Sequence, residues 1–196
     1  MTQAWKVTGQ PSREPITVDE ARLHCYVDAD NTEVDSLIDR HIAAARKQVE
    51  NDAELSLITQ TITLTLDEFP ANGGPIRLPR PPVQSATIAY KDSAGIVRTL
   101  APAMYIVETS KKPGQISLAY GQSWPATYGQ VGDVIVTVIA GFGADGNFVP
   151  ATLRQAMLLL IDDMYEHRAR QIERVTLAEN TTYWNLVGSE AMKTYS

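Results

Sequence analysis

The sequence predicts an α+β fold: a helical bundle built from N- and C-terminal helices, an antiparallel β region inserted between them, and an extended C-terminal arm. Three observations predict it. Apolar residues recur at helical spacing over residues 17–52 and again after Pro150. The stretch between is rich in β-branched residues and punctuated by turn residues. Residues 175–196 carry aromatic and aliphatic side chains with no helix or strand period.

Taken in order, residues 1–14 set Trp5 and Val7 among polar residues ahead of Pro11, as an extended arm or an edge strand would. Thr17-Val18-Asp19-Glu20 is a capping-box pattern with Ile16 before it as a staple residue, and its helix should end near Val27. A second helix start falls at Asp30, with Glu33 three residues on. Val34, Leu37, Ile38, Ile42, Ala45 and Val49 then give that helix one apolar face, to about Asn51-Asp52.

Ile58–Leu66 alternates partially and is rich in threonine and isoleucine, as a strand is. Gly73-Gly74-Pro75 breaks the chain. Short strands are expected at Ile76–Leu78, Ala86–Tyr90, Val97–Leu100, Tyr105–Val107 and Gln115–Leu118, with a hairpin loop at Asp92–Gly95. Pro79–Pro82 cannot donate a full ladder of hydrogen bonds and reads as a stiff connection. Asp133–Ile139 is nearly all apolar, as a strand buried on both faces would be. Pro150 then opens a helix whose stripe runs through Leu153, Ala156, Met157, Leu160, Ile161 and Met164, to about Arg174. The expected bodies are a helical bundle from 15–55 plus 148–174, a β region over 56–147, and an arm over 175–196.

Composition narrows the function. A chain of 196 residues suits one compact body or two small lobes. A net charge of −6 argues against a nucleic-acid reader, because an acidic chain gains nothing from counterion release. The single cysteine, Cys25, cannot form an internal disulfide, which fits a reducing compartment. Met1–Gln10 lacks the apolar core of a signal peptide, and the longest apolar run, near Val134–Ala140, is too short to span a bilayer. The expectation is a soluble protein made in a cytoplasm, with no membrane partner.

The chemical motifs fail in context. Gly141–Gly146 matches G-x-G-x-x-G after a strand, but Asn147–Pro150 separates it from the helix, and no later strand completes a βαβ unit. Asp28–Thr32 resembles the start of a calcium loop but has Glu33 where glycine is needed, so helix capping explains it better. His24 and Cys25 are adjacent on a helix and do not face each other. His41 lies on an apolar helix face, and Glu166-His167 has no partner at zinc-site spacing. The reading is a non-enzymatic structural protein with no catalytic, metal or cofactor residues.

Several stretches are distinctive as an ordered set. They are Pro15–Ala21, Leu57–Thr61, Leu78–Ser85, Gly121–Pro125, Ala140–Gly143, and Pro150 followed by Gln155–Leu160 with Tyr165 and Arg168. Over roughly residues 15–170 the set resembles the head–tail connector (adaptor) proteins of tailed bacteriophages. That resemblance implies a structural virion protein, made in the host bacterial cytoplasm, forming a ring at the head–tail junction. It implies as partners the portal protein, neighbouring copies in a twelvefold ring, and a stopper or tail protein, with genomic DNA passing through unbound. An acidic channel would let DNA slide, and a closed ring needs two different sticky faces on each subunit. The alternatives are a small β-rich module, with helical flanks, that binds carbohydrate or peptide, and an unrecognised hydrolase. The C-terminal arm departs from the family pattern. Its Tyr183, Trp184, Leu186, Val187, Met192 and Tyr195 are expected to be partner-binding anchors, with the arm mobile until it meets a neighbour or the portal.

Overall fold

A computed structural model of the protein describes residues 3–28, 31–166 and 181–191. In chain order the elements are β1 (Gln3–Gly9), α1 (Val18–His24), α2 (Asp35–Ala53), β2 (Gln60–Leu66), β3 (Ile76–Arg77), β4 (Val83–Lys91), β5 (Val97–Thr99), β6 (Tyr105–Glu108), β7 (Gln115–Leu118), β8 (Val134–Ala140), α3 (Ala151–Glu166) and α4 (Thr181–Glu190). The fold class is α+β: four helices and two antiparallel sheets among the described residues. The described chain divides into two compact units with separate cores, one over 12–58 and 142–191, the other over 3–11 and 59–141.

The helical unit forms where local signals are strong. Thr17 caps α1: its hydroxyl accepts from the Glu20 amide at 3.2 Å, and Glu20 accepts from the Thr17 amide at 2.8 Å. Ala21 and Cys25, four residues apart, turn inward. Asp30 lies outside the described residues; a 3-10 turn over Thr32–Val34 leads into α2. Ile38, Ile42, Ala45 and Val49 of α2 meet Leu153, Ala156, Met157, Leu160 and Ile161 of α3 in one core. The rest of the helix expected to reach Arg174 lies outside the described residues.

Polar side chains fasten this unit. Arg46, 4% exposed, donates to Glu14 at 2.7 Å and to Glu50 at 3.1 Å, and Glu50 in turn accepts from the Leu57 amide at 2.9 Å. Burial disfavours the Arg46 charge, but Glu14 and Glu50 outweigh it and hold its pKa above the ordinary value. One residue thereby ties the segment before α1 to α2 and to the turn after it.

The β unit follows the period-two rule. In β2, Gln60, Ile62, Leu64 and Leu66 are buried while the threonines between them are half-exposed. The larger sheet has the order β1-β2-β8-β4-β5, and the smaller β3-β7-β6. The N-terminal segment is an edge strand, with Trp5 opposite Leu64 and the Arg80 guanidinium 5.1 Å over its ring.

Two expectations are corrected. Strand β8 is central by hydrogen bonding but buried on one face only: Val134, Val136, Val138 and Ala140 are buried, while Ile135 is 42% exposed. Its outward residues are β-branched because such side chains suit a pleated strand even when half-solvated. The second correction concerns the extended arm. Residues 181–190 form helix α4, which packs its Tyr183 and Val187 into the helical core. The Tyr183 hydroxyl donates to Asp52 at 2.6 Å, and Thr152 donates to Glu190 at 3.4 Å. Two buried residues at i and i+4 make a stripe too short for periodicity to reveal, and Gly188 weakens the helical signal further.

Candidate functional site

The glycine-rich turn is explained by packing. A β-carbon on Gly143 would lie 2.3 Å from the Phe148 ring, and one on Gly146 would lie 2.1 Å from the Pro15 carbonyl oxygen. A short 3-10 turn, Gly146–Phe148, follows, with Asp145 accepting from the Asn147 amide at 2.9 Å. These glycines bring the chain into α3 at close range, and the α-helix itself starts only at Ala151.

Cys25 is buried against α3. Burial pushes its thiol up to about 11, and the carboxylates of Asp162 and Glu166 add to the rise. That is the opposite of an activated thiolate. His24 lines the groove described below, His41 is half-buried on α2, and His167 lies outside the described residues. Among the described residues no three His, Cys, Asp or Glu side chains are grouped to hold a metal, and no helix is long and apolar enough to cross a membrane.

The surface that stands out is at α1. Leu23 and Tyr26 project from its outer side, 81% and 97% exposed. On one side of this ridge a groove of about 700 Å³ runs between α1 and α3, floored by Leu158 and Leu159. On the other a groove of about 500 Å³ is lined by Asp19, Arg22, Val27 and Asp28. Glu20, which lines the first groove, accepts from Arg154 of α3. Burial raises the Glu20 pKa, but the Thr17 amide, Arg154 and the Thr17 hydroxyl outweigh it and leave the carboxyl below the ordinary value. Behind the ridge, Arg22 is held by Asp19 at 3.4 Å and by Asp35. The site is an apolar ridge whose rim sets Asp19, Glu20, Asp28 and Asp162 against Arg22 and Arg154.

The arm residues separate. Tyr183 and Val187 are each 1% exposed and belong to the helical core. Burial raises the Tyr183 pKa, and Asp52 raises it further. Leu186 packs partly against the same core. Trp184 is 41% exposed, its ring edge-on to Tyr183 with centroids 5.2 Å apart. Met192 and Tyr195 lie outside the described residues. Sequence reasoning missed Leu23 and Tyr26; the available signal was the short helix after the capping box, which puts a tyrosine where its C-terminal turn should take glycine.

No protein-family model matches the chain, and no curated protein matches it. The fold does match solved structures. The chain is similar over its full length to a chain in the neck of an empty GTA particle computed with C6 symmetry, with a TM-score of 0.79, 22% identity and 98% of that chain covered. It is similar to a chain in the virion of a native gene transfer agent (GTA) particle, with a TM-score of 0.77 and 21% identity, over 98% of this chain and 97% of that one. A third match is a chain in the neck of a native GTA particle computed with C12 symmetry, with a TM-score of 0.71 and 22% identity, over 100% of this chain and 98% of that one. Both units therefore belong to a fold found in particle necks.

Proposed function

We propose that the protein is a structural component of the neck of a phage-like particle, a head–tail connector standing as a twelvefold ring between the portal and a stopper or tail protein. The observation that carries this is the end-to-end likeness of the chain to neck proteins of gene transfer agent particles, at a TM-score of 0.79. The C12 symmetry of one such neck supports twelve copies. The chain acts without catalysis, by presenting surfaces, and DNA passes through the ring unbound. The site supports this reading, since its exposed groups are an apolar ridge and an aromatic side chain rather than an activated nucleophile.

Of the C-terminal anchors, Trp184 is the described residue best placed to meet the portal, with Met192 and Tyr195 as further contacts. Tyr183 and Val187 hold α4 in place beneath it. A β-rich carbohydrate or peptide binder fits less well, because the likeness spans helices and sheets alike. A reconstruction of particles carrying this chain tests the proposal. Twelve copies on the portal axis are expected; a single copy, or a position off that axis, contradicts it.

A further inference from the structure

Tyr26 occupies a position that folding alone would give to glycine. It is the first residue past the C-cap of α1, with φ 53°, and the Val27 amide donates back to the Arg22 carbonyl at 2.9 Å, the pattern of a Schellman turn. A β-carbon is disfavoured in that left-handed conformation. The ring is 97% exposed, so packing within the subunit does not offset the strain. A strained, exposed aromatic beside an exposed Leu23 points outward, to a contact.

We propose that the Leu23–Tyr26 ridge and its two grooves receive the hairpin between β6 and β7, residues 109–114, of a neighbouring copy. This rests on the ring reading given above. Charge selects the occupant. The described residues of the helical unit carry six Lys and Arg against fifteen Asp and Glu, a net of −9. Those of the β unit carry seven against five, a net of +2. Part of this basic charge lies at the hairpin: Lys111 and Lys112 are exposed, with Glu108 as the one carboxylate beside them, and the exposed Arg77 faces Gln115 across the β3–β7 ladder. Ile106 of β6, 58% exposed, adds apolar area. Around the ridge the rim carries four carboxylates, Asp19, Glu20, Asp28 and Asp162, against two guanidinium groups, Arg22 and Arg154, so it is acidic on balance. A ring of identical subunits needs two different complementary faces on each copy, and these two faces meet that need. An aromatic anchor inside a polar rim is the usual anatomy of such a contact.

The full-length chain is followed by sedimentation velocity at rising concentration in low and high salt. A photo-crosslinking side chain replaces Tyr26 in assembled particles. Tyr26→Gly is expected to weaken self-association about tenfold or more, yet to melt at a higher temperature, because glycine relieves the backbone. Lys111→Glu with Lys112→Glu should weaken association as well, and adding Asp19→Lys with Asp28→Lys to the same chain should restore it. The crosslinker should capture residues 106–115 of another copy. If the free chain stays monomeric at every concentration, the crosslink decides alone. The proposal is overturned if Tyr26→Gly raises the melting temperature and leaves association intact, or if the charge swap fails to restore association. Capture of a different protein, of nucleic acid, or of nothing in assembled particles also overturns it. A ring whose copies meet elsewhere removes this contact and leaves the ring standing, whereas particles without the chain on their axis remove the ring itself.

Discussion

The helical unit and the β unit differ in how they hold their segments together. Helices satisfy their backbone groups internally, so fastening one to another falls to side chains. In the helical unit Arg22, Arg46 and Arg154 accordingly pair with carboxylates on other elements or segments, and Tyr183 reaches Asp52. Strands fasten each other through the backbone, so the β unit can keep an apolar core, with Phe69 stacked on Trp124 at 4.9 Å. Its ion pair Arg98–Asp92 lies at the surface, and Lys91–Asp133 joins an exposed lysine to a buried carboxylate. Polar fastening therefore makes the helical unit sensitive to single substitutions and to pH, while the β unit should tolerate the same treatments.

The largest expected effect tests that contrast directly. Tyr183→Ala opens a cavity and abandons Asp52, and should cost the helical unit about 3–5 kcal/mol. Trp184 reports on the helical unit and Trp124 on the β unit, so denaturation followed in single-tryptophan variants reads each one. A shift at Trp184 with none at Trp124 sharpens the comparison; equal shifts would show that the units unfold as one. Removing residues 181–196 should act in the same direction.

Next in size is Glu50→Ala, which leaves Arg46 buried with half its partners and the Leu57 amide without its acceptor. The expected loss is about 3 kcal/mol, read as a lower denaturation midpoint in urea. A loss below about 0.5 kcal/mol, ordinary for a surface position, would mean that Glu14 alone neutralises Arg46.

Glu20→Gln is smaller, about 0.5–1 kcal/mol, the scale of a capping interaction. Its pH dependence carries the information. The folded pKa of Glu20 lies below its ordinary value near 4.3, so the stabilisation is present above about pH 5 and fades as pH falls through the folded pKa. Melting curves of parent and variant should converge in acid. A gap that persists at pH 2 contradicts the role of the Glu20 charge.

The smallest effect is an absence of reaction. With its thiol near pKa 11 and its side chain buried, Cys25 should resist iodoacetamide at pH 8 in the folded protein and react once urea exposes it. Fast labelling of the native chain would show that α1 opens away from α3.

Much of this was legible in the residues. The capping box at Thr17, the stripes of α2 and α3, and the alternation of β2 all report inward and outward faces within a single element, which is what periodicity measures. Long-range placement was not legible. Helix α4 carries only two buried residues, Tyr183 and Val187, and without Asp52 beside it Tyr183 looks like any exposed aromatic of a terminus. Strand β8 read as buried on both faces because β-branched residues favour strands whether or not a second layer covers them.

The sequence by itself determined the types of most elements and their caps, and it separated a helical set from a β set, because these depend on neighbours a few residues away. Tertiary structure alone decided that β1 joins a sheet with strands more than fifty residues on, and that Tyr183 is core and Tyr26 is surface. Those outcomes depend on which groups are brought together through space. Burial, charge pairing and complementarity between faces are properties of that assembly, and no local period in the chain encodes them.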